Sequence, residues 1–218
     1  MYASSNEGFG RLVGSAVAAF IVLCVAAQLP ASVITLGTAP SVNDLFSTTP
    51  TPIGTTSLVV ANTPTFTVDV YSQAYTDGSK YVYLYQLDNS TQSNDSIELF
   101  TLSKFLGADA NVAMGYLTQT VPAGFISTGL AQDSEATGGM NPSGPTLSFY
   151  YTSRAGYDIQ PGDHSTVMYV VSQLPPSVIN GSVIDGNTGT VLVVGPVPEP
   201  ATLSMLALGG LTMLRRRK

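Results

Sequence analysis

The sequence predicts an all-β protein, an antiparallel β-sandwich held between two apolar ends. Three observations lead there. Charged residues make up only 10 % of the 218, while Gly (21) and Pro (14) are plentiful, which leaves an amphipathic helix without a polar face and supplies turns instead. Apolar residues recur with period two in short runs separated by Gly, Pro, Asn and Asp. Each terminus carries an apolar run with cations beside it, which places an N-terminal signal helix and a C-terminal hydrophobic helix outside the sandwich. Four segments follow: 1–31 as a signal peptide, 32–57 as a Thr/Ser/Pro-rich leader or edge strand, 58–196 as the β-sandwich, and 197–218 as the C-terminal tail with its membrane helix.

Met1 to Arg11 is polar with a cation at its end, and Leu12 to Ala27 is apolar and small, the order of a secretory signal. Cleavage after Ala27 or after Ala31 both fit, and an uncleaved anchor is the alternative. Cys24, the single cysteine, lies inside this run, so a cleaved chain has no thiol and no disulfide framework. Leu23 stands before it where lipidation needs a small residue. Thr35 to Ser57 contains Pro40, Pro50 and Pro52, and proline withholds a ladder donor, so extended coil, a spacer or an edge strand is predicted.

From Phe66 the alternation begins. Phe66, Val68 and Val70 alternate with Thr67 and Asp69, Asp77-Gly78 supplies a hairpin turn, and Tyr81, Tyr83, Tyr85 and Leu87 alternate with Val82, Leu84 and Gln86. That return strand reads as buried on both faces. Asp88 to Ser96 is a polar loop, Ile97 to Leu102 a strand, Val112 to Thr118 a weaker one, and Pro122 to Phe125 a turn. Gln132 to Pro145 reads as a loop free of regular structure. Leu147 to Thr152 resumes as a strand, Ile159 to Asp163 turns, and Ser165 to Ser172 is a strand. Val178 to Ile184 and Thr190 to Val194, joined by Asp185 to Gly189, form a last hairpin. About eight or nine strands and no internal helix result, which favours a sandwich.

The net charge of −6 conceals a division. Residues 32–196 hold 12 acids against Lys80, Lys104 and Arg154, a formal −9. An acidic body repels phosphate, so nucleic acid is excluded as a partner. Catalytic inventory is sparse: His164 is the single histidine, it sits in a predicted turn, and no G-x-S-x-G accompanies it. His/Cys metal sites fail on inventory. Asp88, Asn89, Asn94 and Asp95 in one loop, or Asp185 and Asn187 in another, offer oxygen ligands for calcium, but neither loop has EF-hand spacing, and local turn bonds are the simpler use. Paired carboxylates for glycoside hydrolysis are recognised by geometry, and the sequence selects no pair. Tyr81, Tyr83 and Tyr85 share one strand face, as a sugar-stacking ladder if exposed or as core if buried. Asn89, Asn94 and Asn180 head sequon-like triplets.

The tail is the most specific stretch. Val197, Pro198, Glu199 and Pro200 lead into fourteen uncharged, mostly apolar residues, and Arg215, Arg216, Arg217 and Lys218 follow. Apolar side chains wrap all round such a helix. At about 1.5 Å per residue it reaches ~21 Å, short of a ~30 Å hydrocarbon core unless its flanks contribute. The cations stay cytoplasmic under the positive-inside bias, which sets the body outside; a buried C-terminal core helix is the alternative. These three parts in this order resemble the PEP-CTERM sorting signal of exported bacterial proteins, a tail also labelled ice-binding protein C-terminal domain. The resemblance implies secretion machinery and an exosortase-type processing protease as partners, membrane attachment through the C-terminal helix before processing near Pro198-Glu199-Pro200, and bacteria that make extracellular polysaccharide. The order of the tyrosine-rich strand with Gln86 to Asn89, the Pro122-Ala123-Gly124-Phe125 turn, Leu147 to Tyr151 and Ile159 to Ser172 is similar to immunoglobulin-like cargo domains that precede such tails.

The expected function is therefore an exported, non-enzymatic cell-surface or matrix protein, with a polysaccharide-binding or adhesive module as the alternative and a carboxylate-dependent glycosidase as a third reading. No cofactor is expected.

Overall fold

The structure, a computed structural model, describes residues 35–103, 113–130, 140–141, 146–151 and 158–196. The predicted signal helix and the tail helix lie outside the described residues, among which no helix is long and apolar enough to cross a membrane. Two sheets carry the fold. The six-stranded sheet runs β1 (Thr35–Ser41), β6 (Ala113–Thr120), β9 (Met168–Ser172), β4 (Tyr81–Asn89), β3 (Thr67–Thr76) and β2 (Thr51–Asn62). The five-stranded sheet runs β11 (Asn187–Pro196), β10 (Pro176–Asp185), β5 (Leu99–Ser103), β8 (Thr146–Tyr150) and β7 (Met140–Asn141).

Local chemistry explains the hairpins. Asp77 Oδ1 accepts from the Ser79 and Lys80 amides at 2.9 and 3.2 Å, and Gly78 takes φ 89°, so β3 and β4 pair in register from Thr76–Tyr81 to Val68–Asn89. The last hairpin is tighter than predicted. Pairing continues to Asp185–Asn187 around Gly186, whose φ of 60° lets one glycine do what a five-residue loop was expected to do.

Two features depart from the sequence reading. β1 runs parallel to β6, Thr35 opposite Ala113, so the larger sheet is mixed where an antiparallel one was predicted. A long connection permits this: after β1 the chain turns through a short 3-10 segment at Val42–Leu45 and returns to the opposite edge as β2. The stretch predicted as a leader or edge strand thus supplies strands at both edges of one sheet. The second departure is β7, which pairs Met140 and Asn141 with Phe149 and Ser148 inside a segment read as free of regular structure. Its pairing partner lies in β8, and two residues carry no period of their own. Eleven strands occur among the described residues, more than the eight or nine expected.

β4 is buried on both faces, as its sequence indicated. Tyr83, Tyr85 and Leu87 point between the sheets and join Val68, Val70, Met114, Met168 and Val170 with Phe100, Leu102, Phe149, Ile179 and Val183 of the facing sheet. Tyr85, Phe100 and Phe149 form a ring series with centroids 5.9 and 6.3 Å apart. Val82 and Leu84 point the other way, into a second core with Ala39, Val42, Tyr75, Leu117, Val167 and Tyr169, roofed by Leu45, Phe46, Val121 and Phe125. Gln86 shares that outer face and is fully buried. Its Nε2 donates to the Ile126 and Ser165 carbonyls at 2.8 and 2.9 Å, and its Oε1 accepts from the Ile126 amide at 2.8 Å, which ties the roof to the sheet.

The parallel edge depends on two glycines. Gly37 and Gly115 face each other, and a Cβ on Gly115 would stand 1.9 Å from the Gly37 carbonyl oxygen and 2.7 Å from the Tyr169 hydroxyl. Backbone cannot retreat from such a clash without losing the pairing. Gly115→Ala is expected to destabilise the domain by about 2–4 kcal/mol and to strip hydrogen-exchange protection from residues 35–41 before the rest of the sheet, measured by thermal melts and amide exchange.

Candidate functional site

Three kinds of candidate came from the sequence: the tail, the tyrosine ladder with His164, and the oxygen-rich loops. The structure treats them differently.

The tyrosines are core. Tyr83 and Tyr85 are fully buried between the sheets, and Tyr81 is half-buried and stacks on Tyr83 at 6.5 Å. Their hydroxyls serve the C-terminal part of the domain: Tyr83 donates to the Leu174 carbonyl at 2.6 Å and Tyr85 to the Val194 carbonyl at 2.7 Å. Each thus gives a buried phenol its partner and clamps the chain around β10 and β11. A sugar-stacking ladder on this strand is overturned. His164, partly exposed, places Nε2 3.2 Å from the Ser127 carbonyl oxygen and forms a backbone bridge with Asp88. That partner is a main-chain acceptor, so the ring's observed bond fastens the 121–130 segment and activates no hydroxyl.

The oxygen-rich loops converge. Asn89 is fully buried, and its Nδ2 donates to the Asp95 and Ile159 carbonyls at 3.0 and 2.9 Å; Asn187 Nδ2 donates to Thr65 Oγ1 at 3.1 Å. Both asparagines act as loop tethers. Asp185, from the hairpin turn, comes beside Asp95 of the other loop, with Glu98 and Asp158 near enough to act on its charge. The two stretches that the sequence offered as separate calcium loops are thus one acidic pole, and among the described residues no group of three or more acids, His or Cys is arranged to hold a metal. Asp69 and Asp88 oppose each other on β3 and β4 close by. Burial pushes the Asp88 carboxyl up and Asp69 adds to this, while His164 acts against them. The Asp95–Asp185 contact was not legible, since the residues are distant in sequence and each reads locally as a turn former.

Asp185 Oδ2 is buried and meets no donor. Burial first, then the hydrogen bond and charge of Asp95, then Glu98 and Asp158, push its carboxyl up to about 6. The proton is held more tightly in the folded state than in an unfolded chain, whose carboxyl titrates near 3.9, so this contribution is complete below about pH 4 and is lost as pH rises through 6. Asp185→Asn is expected to raise the melting temperature at pH 7.5 and to leave it nearly unchanged at pH 4; equal effects at both values would refute the charge clash as its cause.

The tail begins where β11 ends. Pro196 pairs with Pro176 beside the Tyr83 and Tyr85 clamps, and the sorting residues Val197, Pro198, Glu199, Pro200, Arg215, Arg216, Arg217 and Lys218 lie outside the described residues. No curated protein and no solved structure matches the chain. One family does, over residues 196–218, and its description is PEP-CTERM protein-sorting motif. A domain whose last strand is fastened at Val194 and ends at Pro196 therefore passes into a PEP-CTERM sorting signal, the mark of an exported protein sorted through exosortase.

Proposed function

We propose that this is a non-enzymatic cell-surface or extracellular-matrix protein, whose immunoglobulin-like sandwich is delivered by the secretion machinery and released or retained by processing of its tail. One observation carries the reading: a sorting signal starts at the residue where the last core strand ends. In support, the aromatic and histidine side chains that could have made a site are spent on packing and loop tethering. A carboxylate-dependent glycosidase remains the third reading, for which the acids that come together are Asp95 with Asp185 and Asp69 opposite Asp88. Before processing, the hydrophobic tail helix holds the protein in the membrane with its cations inside.

Replacing Pro198, Glu199 and Pro200 together with alanine is expected to leave the export of the domain intact and to accumulate an unprocessed precursor in the membrane fraction, read by immunoblot of an epitope placed at exposed Ser47. A processed, released product from that variant, or wild-type protein found in the cytoplasm with both ends intact, would sink the proposal.

Binding of extracellular polysaccharide is the second reading, and its support has moved from the tyrosines to the outer face of the smaller sheet. There Thr101, Ser103, Asn180, Ser182 and Thr190 form uncharged rungs across β5, β10 and β11. Uncharged hydroxyls and amides hydrogen-bond sugar hydroxyls without the desolvation cost of a charge. On a glycan array, Thr101→Lys with Ser182→Lys is expected to abolish whatever neutral glycan the wild-type protein captures; wild-type capture of none removes this reading.

A further inference from the structure

We propose that, while its tail is in the bilayer, the domain stands with one fixed pole against the outer membrane surface, the pole formed by the β3–β4 turn, residues 173–175 and the two strand ends Thr35 and Pro196, and holds its acidic pole away from it. This rests on the reading of the tail as a membrane segment. The strand registers give the geometry. β4 starts at Tyr81 opposite Ser172 of β9, Val171 of β9 lies opposite Ala113 of β6, and Ala113 lies opposite Thr35, so the chain enters the sheet at the end where the β3–β4 turn sits. β11 leaves at Pro196, opposite Pro176, immediately after the 173–175 link from Ser172. Entry and exit therefore share one pole. The Gly186 turn, the 63–66 turn, the 90–98 loop and the 158–163 turn share the other, tied together by Asn187 to Thr65 and by Asn89 to Asp95 and Ile159.

The tether is short. Only Val197 to Pro200 separate Pro196 from the uncharged run that starts at Ala201, and four residues span at most about 14 Å. β11, with ten residues at about 3.3 Å each, separates the poles by roughly 33 Å, so the distal pole cannot swing down to the lipid while the proximal one is held. Charge points the same way. Seven of the nine acids among the described residues belong to the distal pole or the two rungs next to it, and Lys80, the only lysine or arginine among them, sits at the proximal turn with its Nζ 5.7 Å from the Phe46 ring centroid. An anionic lipid surface repels the first group, whereas at the proximal turn Asp77 and Lys80 offset each other.

The test uses the signal-cleaved chain from Ser32 on, which has no cysteine of its own, with a single fluorophore at Ser79→Cys, in the proximal turn, or at Thr188→Cys, beside the distal one; both positions are exposed. The protein is inserted into phosphatidylethanolamine/phosphatidylglycerol vesicles that carry nitroxide-labelled headgroups, and flotation is scored first. Flotation with quenching several-fold stronger at position 79 than at 188 is the expected result. Flotation with equal quenching, or stronger quenching at 188, overturns the orientation alone. Failure to float overturns the membrane reading of the tail, and the orientation with it.

Discussion

Strand β4 has no side that meets water. Its odd-numbered residues from Tyr83 to Leu87 supply the space between the sheets, and Val82, Leu84 and Gln86 supply the space beneath the roof. A strand buried on both faces has to satisfy two sets of neighbours at once, and a slip of one residue would exchange them. The rest of the architecture answers to that demand: β3 and β9 flank it in the sheet, the five-stranded sheet covers one face, and residues 42–46 and 121–130 cover the other.

The polar groups follow from the same constraint. Gln86 in an otherwise apolar strand has to find partners, and it finds them in the roof, where an apolar side chain would have left the Ile126 amide and the Ser165 carbonyl without it. Tyr83 and Tyr85 solve a similar problem in the opposite direction by reaching carbonyls near the C-terminal strands. The interior of the domain thus fixes the point from which the tail departs, and packing and sorting meet at Pro196.

How much was legible depended on range. The β3–β4 hairpin was readable because Asp77-Gly78 and the alternation on either side are local, and the double burial of β4 followed from its unbroken run of aromatic and branched residues. The tail was readable because its order of Pro-Glu-Pro, apolar run and cations is itself the pattern. What failed was non-local. The parallel entry of β1 beside β6, the two-residue β7, and the meeting of Asp95 with Asp185 are set by other parts of the chain, and no short window records them. The core placement of Tyr83 and Tyr85 agrees with the double burial read from that strand, while the burial of Gln86 depends on roof partners that lie far off in sequence.

The position of β1 also bears on how the domain comes into being after export. Chains cross a secretion channel unfolded and from the N-terminal side, so β1 emerges first, yet among the described residues its strand partner is β6, and that pairing waits for Ala113. β4 likewise waits for β9. β2, β3 and β4 can pair with one another early, but the sheet closes only when β6 and β9 have followed. A topology rich in such late partners folds slowly and keeps the chain threadable for longer, which suits a protein that must pass a membrane before it takes shape.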